Sequence, residues 1–113
     1  MKYLLLIYAD EQAKSDKERE DCRNEAVKLA EDLRSKGQYL AANPLHPTAT
    51  AKSIRIQAGK RLVTDGPFAE TREQLGGYFL IEAKTQQDAV AIALQIPMAG
   101  KGTVEVRPVV EFP

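Results

Sequence analysis

One cysteine, one histidine and no excess of either charge: these shortages remove several classes of function from the 113-residue chain before any motif is considered. Cys22 has no partner, so neither an intramolecular disulfide nor a cysteine-based metal cluster can be built within one chain. Sixteen basic residues balance sixteen acidic ones. Without a positive field or a basic stripe, nucleic acid and anionic membrane surfaces are not expected as partners. Long apolar runs are also missing. The opening stretch, residues 3–9, is too short to cross a bilayer and lacks the pattern of a secretory signal, so a cytoplasmic location is expected. There is no glycine-rich phosphate loop, no GxSxG elbow and no histidine–carboxylate spacing typical of a metal site. No cofactor and no metal are expected.

What remains is an ordinary folding sequence, 43% hydrophobic and 28% charged, of a length that suits one domain over residues 1–113. Residues 3–8 are apolar at odd and even positions alike, as in a strand covered on both faces. Ser15 and Glu18 have capping-box spacing, and Cys22, Ala26, Leu29 and Leu33 recur at helical intervals until Gly37, which predicts a helix over residues 16–36. A short strand over residues 38–42 precedes the breakers Asn43, Pro44 and Pro47. Ile54 and Ile56 alternate with polar residues and lead through Ala58 and Gly59 to residues 61–63, a hairpin pattern with one exposed face. Residues 78–81 form another strand apolar on both sides. Thr85 and Asp88 cap a second helix carrying Ala89, Ile92, Ala93 and Ile96 and ending at Pro97. The last strand begins at Thr103, and Pro108 places it at a sheet edge or ends its pairing.

This order predicts an α+β fold: a ferredoxin-like antiparallel sheet with two helices on one face and an inserted hairpin. Two helices cover one sheet face only. Because the strands at residues 3–8 and 78–81 are apolar on both faces, the second face needs a cover, and a homodimer packed sheet to sheet supplies it.

Special-backbone and charged residues crowd into residues 65–78, where the sequence reads DGPFAETREQLGGY. The run closely resembles the signature of the DGPF subgroup of the YCII-related family. That resemblance implies a dimeric α+β barrel. It also implies a link to sigma-factor regulation, because genes of the subgroup often lie near those for extracytoplasmic-function sigma factors. Members of the wider family use a histidine and an aspartate together, but this chain has no histidine in its first helix, so that dyad does not transfer intact.

Within the run, Asp65 ends a strand and precedes Gly-Pro, which makes it a candidate acid and equally an Asx-type turn residue. His46, the sole histidine, is a candidate proton donor or acceptor held between two prolines, and an incidental surface histidine fits the same setting. Arg72 offers two-pronged binding of a carboxylate or phosphate; Glu70 either joins it at a polar ligand or pairs with it. Tyr78 adds a hydroxyl to orient a substrate, and Phe68 anchors the loop or walls a pocket. Two functional readings follow. One is a small homodimeric enzyme using acid–base chemistry on a small organic substrate; the other is a non-catalytic ligand-binding or regulatory accessory module.

Overall fold

Both halves of the expected capping box form. In the computed structural model, which describes all 113 residues, Ser15 Oγ accepts a hydrogen bond from the Glu18 amide (3.2 Å), and the Glu18 carboxylate accepts one from the Ser15 amide (3.4 Å). They start helix α1, Asp16–Ser35, which buries Leu29 and Leu33 and rests Cys22, Ala26 and Ala30 against the same core. Cys22 thus packs as a small hydrophobe. Helix α2, Gln86–Ala93, is capped by Thr85 Oγ1, which accepts from the Asp88 amide at 3.1 Å. It ends short of Ile96 because Pro97 drives the residue before it into extended backbone. Ile96 and Met98 still reach the core, carried there by a 3₁₀ turn at Pro97–Gly100.

The six strands are β1 (Lys2–Ala9), β2 (Tyr39–Pro44), β3 (Lys52–Gln57), β4 (Lys60–Asp65), β5 (Gln74–Glu82) and β6 (Thr103–Pro108). Four of them form one antiparallel sheet in the order β2-β5-β1-β6, the ferredoxin-like arrangement, with β6 at an edge. Tyr3, Leu5, Phe79 and Ile81 point to the helices and are buried with them in a single core. The other face carries Leu4, Leu6, Tyr8, Tyr78 and Leu80, all only half-buried, with Leu4 opposite Leu80 and Leu6 opposite Tyr78. Both helices contribute to the core on the opposite side.

At two boundaries, the end of β2 and the start of β5, the difference from the sequence expectation has one cause. Strand β2 runs on to Pro44, and β5 begins four residues before Tyr78, so that Asn43 pairs with Tyr78 and Pro44 with Gly77. A Cβ at Gly77 would stand 3.1 Å from the Asn43 carbonyl oxygen and 3.3 Å from Pro44 Cα. The glycine pair is therefore part of the strand, admitting close approach of β2, rather than part of a loop. The register of β1 against β5 also slips here, between Ile7 and Tyr8.

Strands β3 and β4 pair only with each other. Ala58 and Gly59, with φ of 49° and 78°, make the turn, the left-handed pair that suits the twist of a two-residue hairpin. Ile54 faces Val63 directly across the ladder, and Ile56 lies on the same side. The expectation of one exposed face is corrected: both faces are open, with Ile54, Ile56 and Val63 at 69%, 71% and 62% exposure. The hairpin stands away from the body, which gives a flat molecule of 47 × 43 × 18 Å with a radius of gyration of 15.8 Å. A compact chain of this length would have a radius of about 13 Å.

Candidate functional site

Where β1 ends, the chain turns through Asp10, Glu11 and Gln12, and Asp10 Oδ1 accepts the Gln12 amide at 2.9 Å in an Asx-type turn. Arg19 Nη2 holds the Glu11 carbonyl from the first turns of α1 at 2.6 Å. The Glu11 carboxylate reaches the other way, accepting the amide and hydroxyl of Thr48. On the facing side, Gln74 Nε2 donates to the carbonyls of Ala69 (3.1 Å) and Thr71 (3.0 Å), curling residues 69–74 into a tight loop. Thr71 Oγ1 closes it further onto the Glu73 carbonyl at 2.7 Å.

Between these two loops lies a cleft of about 220 Å³ lined by Asp10, Glu11, Gln12, Thr48, Pro67, Glu70, Thr71, Arg72 and Gln74. It is open, lined by polar residues apart from Pro67, and smaller than the ~300 Å³ at which drug-sized sites begin. Its lining residues include three carboxylates, Asp10, Glu11 and Glu70, and one guanidinium, Arg72. Arg72 Nε lies 3.6 Å from Asp10 Oδ2, and the terminal nitrogens of Arg72 have no protein partner. A small anionic group can therefore meet the free fork of Arg72, and a hydroxyl or amine can meet the carboxylates. On the other side of Asp10 is a second hollow, of about 260 Å³, bordered by Lys14, Glu18 and Lys101. There Lys101 donates to Glu18 at 3.0 Å, which holds the Glu18 carboxyl below its ordinary value and the Lys101 ammonium above its own. No three His, Cys, Asp or Glu side chains come together as a metal site, and no helix is long and apolar enough to cross a membrane.

Of the residues singled out from sequence, Glu70 and Arg72 share the cleft. Asp65 ends β4 and forms an ion pair with Lys52 across the hairpin, with its side chain 83% exposed. His46 is exposed on the segment after β2. Tyr78 sits on the open sheet face, where its hydroxyl accepts from Asn43 Nδ2 at 3.1 Å. Phe68 is 84% exposed and anchors nothing within its own chain. Neither Asp65 nor His46 lines the cleft; each lies two positions along the sequence from a residue that does, Pro67 and Thr48. Sequence reasoning missed Asp10, Glu11 and Thr48. The available signal was the acidic pair placed directly after an apolar strand.

A family model described as the YCII-related domain matches residues 1–113. The chain belongs to the YCII-related family. An uncharacterised protein of Rhizobium meliloti (strain 1021) is 36% identical to it over 117 residues, covering 96% of this chain and 91% of the relative. The YCII-related match spans both walls of the cleft, the loop after β1 and the loop before β5, as well as the hairpin between β2 and β5.

Proposed function

We propose that this protein is a homodimer of the DGPF subgroup, its two sheets meeting as a dimeric α+β barrel, that acts by acid–base chemistry on a small polar organic substrate. Arg72 orients an anionic group of that substrate and Glu70 hydrogen-bonds it. Asp65 and His46 exchange protons with it from the segments that lead into the cleft at Pro67 and Thr48, while Tyr78 and Phe68 contribute from the face and loop that a second copy covers. The observation that carries this reading is the unengaged fork of Arg72 beside Asp10 at a small open cleft of about 220 Å³. The half-buried apolar residues of the open sheet face support the pairing.

Titration of isotopically labelled protein with a panel of small hydroxy and keto acids tests it. Amide shifts at residues 70–74 that vanish in Arg72→Ala are expected, together with solvent deuterium entering the acid next to its carbonyl group. Shifts confined to another surface would move the site. Binding without deuterium uptake would favour a second reading, a non-catalytic accessory module linked to sigma-factor regulation. The exposure of Phe68 at the tip of the signature loop is the observation on its side.

A further inference from the structure

The hairpin β3–β4 cannot be explained by the fold of its own chain. A two-stranded ribbon alone is marginally stable in water, and here none of its large apolar residues is covered: Ile54, Ile56, Leu62 and Val63 are all exposed. The molecule as a whole shows the same mismatch. Its accessible surface is 8193 Å², whereas a compact monomer of 12.5 kDa would expose about 6,200 Å². The excess exceeds the ~800 Å² per partner buried at a standard interface.

Charge is divided in the same way. Residues 52–65 hold four basic side chains, Lys52, Arg55, Lys60 and Arg61, and one acidic one, Asp65. They carry +3, which leaves −3 on the rest of a neutral chain. A surface that is apolar on one side, cationic overall and attached to an anionic body complements another copy of that body.

The roots of the hairpin matter as much as its tip. The chain enters it from Thr48 and leaves it at Pro67, and both residues line the cleft. Across the roots, the Gly66 amide donates to the Ala51 carbonyl and Ser53 Oγ to the Gly66 carbonyl, each at 2.8 Å. Whatever seats the hairpin also fixes the spacing of Thr48 and Pro67.

We propose that the β3–β4 hairpin is an arm that grips a second copy of the chain, with Ile54, Ile56 and Val63 packed against the partner, and that this grip sets the walls of the cleft from which the arm springs. The inference rests on the homodimer proposed above. It adds that the arm holds the pair together and that the cleft is incomplete without the partner.

Sedimentation equilibrium and amide exchange test it on the full chain and two variants, Ile54→Glu/Val63→Glu and Arg55→Glu/Arg61→Glu. The substituted residues are exposed, so both variants are expected to keep the wild-type circular dichroism. Each should weaken self-association by about a hundredfold, in keeping with the loss of central interface contacts. Exchange at residues 67–74 should quicken by roughly tenfold or more as that loop loses its support. If the wild type is a dimer and both variants pair as tightly as it does, the arm proposal falls while the homodimer stands. A weakened pair with unchanged exchange at 67–74 overturns the link to the cleft. A wild-type monomer sinks both readings; should that monomer bind duplex DNA or anionic vesicles through the arm, those would be its occupants instead.

Discussion

Glu11 accepts two hydrogen bonds from Thr48, from its amide at 2.9 Å and its hydroxyl at 2.5 Å, tying together segments 37 positions apart. One carboxylate thus fastens the loop after β1 to the root of the hairpin and forms a wall of the cleft. Thr48→Val removes the hydroxyl and keeps the β-branched shape. A loss of roughly 1–2 kcal/mol is expected, as for a part-buried hydrogen bond to a charged group. Urea denaturation checks it, and a change below a few tenths would show that water replaces the hydroxyl without cost.

Gly102 tolerates no side chain. A Cβ there would overlap the carbonyl oxygen of Tyr8, whereas a Cβ at Gly100 would meet nothing. Gly102→Ala is therefore expected to destabilise by roughly 1–3 kcal/mol through displaced backbone between β1 and β6. Thermal melts of Gly102→Ala and Gly100→Ala compare the crowded position with the open one. Equal melting temperatures would contradict the packing described.

The Glu18–Lys101 pair carries a pH dependence whose sign is fixed. Lys101 is the largest cause of the lowered Glu18 pKa, ahead of the Ser15 amide and hydroxyl. A carboxyl with a lower pKa folded than unfolded stabilises fully above its unfolded value and loses that effect as pH falls through the folded one; the raised ammonium loses its effect as pH rises through its folded pKa. The link is strongest between those limits. In Lys101→Met, the Glu18 carboxyl followed by carbon NMR should titrate at higher pH than in the wild type. Because both side chains are well exposed, the overall melting temperature should hardly move.

Asp65→Asn and Arg72→Ala separate turn-forming from chemical roles. Both side chains are largely exposed, at 83% and 90%, so each variant should stay within about 0.5 kcal/mol of the wild type. Arg72→Ala should lose binding of small carboxylic acids. Asp65→Asn should keep that binding and lose deuterium uptake. Full uptake in Asp65→Asn would reduce Asp65 to a hairpin residue paired with Lys52.

Local rules carried the fold a long way. Ser15 with Glu18, Thr85 with Asp88, and the spacing of Leu29 and Leu33 are statements about one turn of helix, and short-range chemistry settles them. Boundaries failed where a neighbouring strand decided the matter: Gly76 and Gly77 look like a loop until β2 comes alongside. The cleft was legible only by half. Glu70 and Arg72 stood out in a run dense with unusual residues, but Asp10, Glu11 and Thr48 reach it from other segments. Their pairing depends on tertiary contacts that no local pattern encodes. The hairpin shows the same limit, since alternation reveals a side that can be buried and not whether the chain itself buries it.

Each outer strand of the four-stranded sheet ends on a proline, Pro44 in β2 and Pro108 in β6. Proline offers no N–H, so on each flank the row of donors that a further strand would need stops at that residue. Side-by-side addition of strands, the route to fibres, thereby has a shorter edge to use on both flanks, while one broad face stays open. Two copies that meet through the same open face on each close on themselves, so overexpression at high concentration should yield discrete particles rather than filaments.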